Sequence, residues 1–208
     1  MRTLVFANRK GGVGKTTLAG HIGVAAAATG EAVVLMDTDP QGSLAEWWNG
    51  RARDDVRFAS AQLSGLLDQL RLLKEQGTSL VIIDTPPAVT ATIATVVAAA
   101  DLVVVPIRPS PHDLRAVVGT VELCKRRPVF ILNGAAARAR ITAEAAIALS
   151  QFGAVAPTII HQRTNFAGSM ADGRVINELD PRGRGASEVD ALWDYLSHML
   201  HVTEGTPA

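Results

Sequence analysis

Eight residues near the start of the chain, Lys10-Gly11-Gly12-Val13-Gly14-Lys15-Thr16-Thr17, limit its fold more than any others. They follow an apolar run at 4–7 and lead into an alanine-rich stretch of helical character, roughly 16–29, which stops near Gly30, a good C-cap. Glycines at 11, 12 and 14 carry no β-carbon, so this turn can take left-handed conformations and aim successive backbone N–H groups at one polyanion. Lys15 adds a point charge, Thr16 a hydroxyl suited to Mg²⁺, and the helix its positive dipole end. Strand, phosphate cradle and helix in that order call for a sheet whose strands end at a ligand crevice.

The rest of the pattern agrees with that requirement. Apolar runs at 4–7, 32–36, 80–83, 102–105, 129–132 and 157–160 alternate with helical stretches, and 56–59 reads as a short edge strand. Near-continuous apolar strands belong to a sheet covered on both faces, and right-handed crossovers put ligands outside the strand C-terminal ends. The expected fold class is therefore α/β, a mostly parallel twisted sheet with helices on both faces. A chain of 208 residues has the interior for one such domain, expected over 1–202, with 203–208 as a frayed tail.

The loop departs from the usual phosphate-loop pattern G-x-x-x-x-G-K-[ST], because Arg9 stands where a first glycine is expected. Lys10 opens it instead, and K-G-G-x-G-K-T-T resembles, residue for residue, the deviant Walker A motif of the ParA/MinD group of P-loop ATPases. The resemblance implies ATP and Mg²⁺ as cofactors and contacts to the nucleotide from Gly11, Gly12, Val13, Gly14, Lys15, Thr16 and Thr17. It also implies a nucleotide-sandwich homodimer in which Lys10 reaches the partner's phosphates, the equivalent of an arginine finger supplied in trans.

Further segments resemble the same family in the same order. Asp37-Thr38-Asp39-Pro40-Gln41-Gly42 is similar to its D-x-D-P-Q switch, which gives Asp39 a share in positioning Mg²⁺ and the attacking water, with Asp37 organising the site. Read alone, this segment also allows the lesser reading of an Asp-Pro turn that merely starts a helix at Ser43. Leu80-Val81-Ile82-Ile83-Asp84-Thr85-Pro86-Pro87 is similar to a Walker B strand with its second switch, so Asp84 joins Thr16 and Asp39 as a Mg²⁺ residue. Pro106-Ile107-Arg108-Pro109-Ser110-Pro111 and Asp113-Leu114 resemble a V-P-x-x-P-S-x-x-D-L stretch that lies along the family's dimer face, with Asp113 capping or charging the next helix. Asn133 is implied to read adenine; a turn-forming Asn-Gly is the rival reading. By this carry-over Lys10, Lys15 and Asp39 are the catalytic set.

Several stretches carry no chemistry of their own. Adjacent Trp47 and Trp48 on one short helix cannot face the same side, so one packs and the other stays partly exposed. Leu63, Leu66, Leu67, Leu70 and Leu73 read as the core stripe of a surface helix, 88–100 as a helix of small residues, and 186–200 as an amphipathic helix. Arg138, Arg140, Arg163, Arg174, Arg182 and Arg184, with Lys125, Arg126 and Arg127 upstream, have few acids among them before Glu188. Gathered on one surface they suit non-specific binding of DNA backbone; scattered, they are ordinary solvated or ion-paired side chains. His161, His198 and His201 lack a partner at metal spacing. The segment after Arg163, with Phe166, resembles the part of the family that closes over the nucleotide base.

What the sequence lacks narrows the branches. One cysteine, Cys124, leaves no internal disulfide and no paired ligands for an iron–sulfur cluster, and fits a reducing cytoplasm. Absence of an export signal, a spanning segment and a basic terminal helix argues against a membrane partner. The expectation is a weak, partner-stimulated ATPase resembling the short partition proteins. It would be cytoplasmic, nucleoid-associated when ATP-bound, and stimulated by a ParB-like or other protein. Its cargo would be plasmid or chromosomal DNA, or alternatively a protein scaffold with no DNA role.

Overall fold

The computed structural model describes residues 1–61, 63–87, 91–124 and 127–202. The expected tail at 203–208, Lys125, Arg126 and the first residues of the 88–100 helix lie outside the described residues.

Strand alternation builds two cores, one on each face of the sheet. Along β1 (Arg2–Phe6), Leu4 and Phe6 face one core while Val5 faces the other; β2 (Val33–Asp37), β4 (Leu80–Asp84), β5 (Leu102–Ile107) and β6 (Val129–Ala135) split the same way. Helices α1 (Lys15–Ala28), α2 (Ser43–Asn49) and α9 (Arg184–Val202) cover the first core. The second lies under α3 (Leu66–Glu75), α4 (Ala91–Ala98), α5 (Pro111–Val121) and α6 (Arg140–Ser150).

The strand order is β3-β2-β4-β1-β5-β6-β7, all parallel, with β3 (Arg57–Ser60) and β7 (Ala154–Val155) at the edges. β8 (Ile160–His161) pairs with β6 beyond β7. Consecutive strands part company at β1, which lies between β4 and β5, so the crevice outside its C-terminal end is the topological switch point where such sheets bind ligands.

The structure corrects the sequence reading in three places. The strand expected at 157–160 is two short ones, β7 and β8, because Pro157 has no N–H to give a ladder. Leu67 leaves the expected stripe and is 57% exposed: residues Leu63–Gly65 form a 3-10 turn, α3 starts at Leu66, and its buried line is Leu66, Leu70 and Leu73. The last helix runs from Arg184 rather than 186 and buries Val189, Leu192, Trp193, Leu196 and Leu200 as expected. Trp47 is buried and Trp48 half-buried, their indole N–H groups donating to the Arg174 and Val56 carbonyls.

Candidate functional site

Register sets the floor of the site. Phe6 pairs with Asp84 and Asp37 pairs with Asp84, so three strand ends stop in one row and the chain leaving β1 arches over it. Gly12 (φ 72°) and Gly14 (φ 94°) take left-handed conformations in that arch, and Gly14 is the N-cap of α1. A β-carbon at Gly14 would come within 2.2 Å of the Asn133 amide nitrogen, so the turn closes only around glycine.

Lys15 and Thr16 open α1 and point into the arch. Lys15 is 6% exposed, and its Nζ donates to the Lys10 carbonyl at 3.3 Å. Burial lowers its pKa, while Asp84 and then Asp39 pull it back up. Thr16 Oγ1 donates to Asp84 Oδ2 at 2.5 Å, and the Thr85 N–H donates to Asp84 Oδ1 at 3.0 Å. Thr85 Oγ1 in turn donates to the Phe6 carbonyl, tying the second switch to β1.

Burial, and after it the charge of Asp37 on the neighbouring strand, push the Asp84 carboxyl up to about 7 against the opposing pull of Thr16, Lys15 and the Thr85 N–H. A hydroxyl beside a buried, cation-hungry carboxylate is a hard-oxygen donor set of the kind Mg²⁺ takes, so Thr16 and Asp84 fit the ion that the family resemblance implies. The folded pKa lies above the unfolded value, so this group's contribution to ligand-free stability is full below about pH 4. It is lost as pH rises through 7, by up to about 4 kcal/mol. Asp84→Asn is therefore expected to melt above wild type at pH 7.5 without ligand, with the gap closing toward pH 4, and, on the family resemblance, to lose Mg²⁺-dependent ATP hydrolysis. Thermal melts at both pH values check the first part; a variant melting below wild type at pH 7.5 contradicts it.

Asp37 and Asp39 divide the adjoining loop. Asp37 accepts the N–H groups of Asp39 (2.9 Å), Leu44 (3.0 Å) and Ala45 (3.2 Å), so it fastens the loop and the start of α2 to the end of β2. The Asp39 carboxylate accepts the Gln41 N–H and is half-exposed toward the cradle, where Lys15 feels its charge. The Thr38 N–H and hydroxyl both donate to the Asp84 carbonyl, locking the two strand ends together.

Lys10 makes its ion pair on α5. Its Nζ lies 2.8 Å from Asp113 Oδ2 on the first turn of α5, whose N-cap is Ser110. Asp113 is 5% exposed; burial works to raise its pKa, yet Lys10 and Ser110 hold it below the usual carboxylate range. Its Oδ1 is buried with no hydrogen-bond partner among the described residues. Asn8 sets this geometry: its Oδ1 accepts the Lys10 N–H at 2.9 Å and its Nδ2 donates to the Pro106 carbonyl at 2.7 Å.

A cleft of about 210 Å³ continues from the cradle, lined by Gly12, Gly14, Thr17, Leu18, Arg108, Asn133, Gly134, His161, Gln162, Arg163 and Phe166. The β6–β8 pairing, which sets Asn133 beside Ile160, brings its two sides together, and α7 (Thr164–Ser169) supplies Phe166. Asn133 Nδ2 donates to the Val13 carbonyl at 2.7 Å, so the amide expected to read a base braces the loop here. Arg108, His161 and Gln162 escaped the sequence reading as cleft residues: Arg108 follows β5 directly, and the other two are placed by the short β8, whose pairing with β6 lies beyond the reach of local pattern.

The six arginines do not gather on one surface as free cations. Arg163 is paired with Glu188 (Nη2–Oε1 2.6 Å) and belongs to the cleft; His161 Nδ1 lies 2.8 Å from the same carboxylate. Arg174 pairs with Asp172 at 2.6 Å and Arg140 with Glu144 at 3.0 Å. Arg138, Arg182 and Arg184 are exposed and make no ion pair among the described residues. Glu144 is one helical turn from Arg140, Asp172 two residues from Arg174, and the fold brings Glu188 to Arg163. No helix among the described residues is long and apolar enough to cross a membrane.

A family model described as the CobQ/CobB/MinD/ParA nucleotide binding domain matches residues 4–203. Among characterised relatives, a "Maintenance of carboxysome distribution protein A" of Gloeobacter kilaueensis is 47% identical over 124 residues, 58% of this chain and 56% of that protein. The "Chromosome partitioning protein ParA" of Caulobacter vibrioides is 33% identical over 150 residues, 52% of this chain and 56% of its own. The chain thus spans a little over half the length of these two. Among solved structures, the MinC:MinD cell division complex of Aquifex aeolicus superposes with a TM-score of 0.81, covering 100% of this chain and 98% of that one at 17% identity, which speaks for the fold.

Proposed function

The chain belongs to the CobQ/CobB/MinD/ParA nucleotide-binding family, and from that premise we propose that it is an ATP-driven switch which pairs with a second copy and positions a cargo. The observation that carries this reading is the division between two lysines. Lys15 is buried in its own cradle, whereas Lys10, on the same loop, is held 2.8 Å from Asp113 and away from that cradle. A cation held outside its own site suits a second subunit's nucleotide, and α5, where Asp113 sits, would then lie at the joint.

Bound ATP with Mg²⁺ supplies the phosphoryl group to be transferred to water. Thr16 and Asp84 would hold the ion, the N–H groups of 11–17 and Lys15 would bind and orient the phosphates, and Asp39 would orient the water. Lys10 from the partner completes the charge around the phosphates. Thr85, bonded to Phe6, and Thr38, bonded to the Asp84 carbonyl, couple both switch loops to the strand ends that feel this charge. Slow hydrolysis, stimulated by a ParB-like or other partner protein, releases the pair.

For the cargo, the names of the relatives point two ways, toward distribution of a protein assembly and toward chromosome partition. The reading preferred here keeps non-specific DNA as the matrix over which the dimer travels, through the exposed Arg138, Arg182 and Arg184, and leaves the carried object open between DNA and a protein body. A pure protein-scaffold switch draws its support from the ion pairs that neutralise Arg140, Arg163 and Arg174. DNA binding with and without ATP separates the two. The double variant Arg182→Ala/Arg184→Ala should weaken ATP-dependent binding evenly across sequences and make its salt dependence shallower, by a slope of about one for each phosphate left unneutralised. An ATP-loaded wild type that ignores DNA at low salt sinks the preferred reading and leaves the scaffold one.

A further inference from the structure

His21 is fully buried, touches no solvent and has no part in the chemistry above. It stands on α1 one turn after Thr17, and its Nδ1 lies 2.7 Å from the Thr17 carbonyl oxygen, which can only accept, so the ring proton is on Nδ1. Nε2 therefore carries a lone pair. That lone pair takes the Ile176 N–H at 3.0 Å, with the Ser169 hydroxyl 3.3 Å away and itself donating to the Phe166 carbonyl. The ring packs against Phe166 at 5.0 Å between centroids. Burial depresses the imidazole pKa to about 4, with the Thr17 bond and Glu178 opposing and Arg51 assisting, so the neutral ring with this one tautomer is the working form.

Two of these partners, Thr17 and Phe166, line the nucleotide cleft; Ser169 shares a helix with Phe166, and Ile176 opens the next helix. Thr17 and its helix are on the cradle side; Phe166 lines the same cleft from a helix of six residues whose N-cap Arg163 makes no side-chain capping bond. α8 (Ile176–Leu179) follows it. A helix that short is not stable by itself and takes its position from what it is pinned to.

We propose that His21 is a positioning residue: by joining the Thr17 carbonyl to the Ile176 N–H and backing Phe166, it sets the distance between the phosphate cradle and the wall that meets the base. It makes binding depend on having a base, and it touches no nucleotide atom. This inference rests on the nucleotide reading given above.

The test compares Mg²⁺·ATP with Mg²⁺·tripolyphosphate, which has the phosphates and no base, by calorimetric titration of the full chain. Wild type should prefer ATP. His21→Leu should lose about tenfold in ATP affinity, the scale of one buried hydrogen bond, while tripolyphosphate affinity stays the same. His21→Gln, whose amide can reach Ile176, should recover most of the ATP preference. His21→Asn keeps a donor for Thr17 but is too short for Ile176, so it should behave as His21→Leu does and serves if the leucine variant does not fold. Equal loss of both ligands would mean that His21 supports the cradle alone, and unchanged affinity for both that it sets nothing; either overturns the inference by itself. A wild type that holds the two ligands equally would overturn the nucleotide reading along with it.

Discussion

Lys15→Ala abolishes useful nucleotide binding, with ATP affinity falling by at least about 10²–10³-fold, as expected when one member of a desolvated charge pair is removed. The ammonium sits 6% exposed between the Lys10 carbonyl and two carboxylates, Asp84 and Asp39. Without it, the phosphates meet only backbone N–H groups in the presence of those two acids, so repulsion adds to the lost attraction. The fold survives, because burial already disfavours this charge: its pKa is lowered, and an alanine there leaves helix α1 with its best helix former. Calorimetric titration with ATP and Mg²⁺ alongside a thermal melt checks both halves. Micromolar binding by a well-folded variant would show that the cradle does not depend on this lysine.

Lys10→Ala gives the opposite pattern. Nucleotide affinity of the monomer stays within about threefold of wild type, since Lys10 Nζ is committed to Asp113 and outside its own cradle, while hydrolysis drops on the scale of a lost trans cation, about 10³–10⁵-fold. The ATP-dependent homodimer of this variant, left with no trans cation, becomes weaker with it. A second consequence concerns stability. Removing the ammonium strands the buried Asp113 carboxylate, whose Oδ1 already has no partner among the described residues. The double variant Lys10→Ala/Asp113→Asn is therefore expected to melt above Lys10→Ala alone. Sedimentation with a non-hydrolysable ATP analogue, plus melts of the two variants, reads this out. Equal loss of nucleotide affinity in the Lys10 and Lys15 variants would contradict the division of labour between them.

How far the site was readable in advance depended on how local its geometry is. The cradle, Asp37, Asp39 and Asp84 each end a buried strand or follow one directly, and an apolar run that stops at a polar residue marks such a position without any knowledge of the fold. The pairing of Lys10 with Asp113 joins residues that are distant in sequence, and only the β1–β5 neighbourhood and the Asn8 bond to Pro106 bring them together. The base side was less readable again: a two-residue strand at Ile160, interrupted upstream by Pro157, swings His161, Gln162 and Arg163 against Asn133. Charge counting failed for a similar reason. Arg163 meets Glu188 only because α9 packs beside β8, so its cation belongs to the cleft wall rather than to a DNA surface. His21, an ordinary letter in an alanine-rich helix, became informative once Thr17, Phe166 and Ile176 were seen around it.

The account depends on Lys10 acting across a dimer, and mixing two inactive variants tests that most directly. Lys10→Ala keeps its own Asp39, and Asp39→Ala keeps its own Lys10; each alone should hydrolyse almost no ATP. If the lysine works in trans, a mixed dimer keeps one trans lysine and holds one complete site, made of the first subunit's Asp39 and the second subunit's Lys10, and equimolar mixing should restore turnover toward about a quarter of wild type, the value for equal pairing. If mixed dimers form and turnover stays at the level of the separate variants, Lys10 acts on its own subunit's nucleotide and the central claim is wrong.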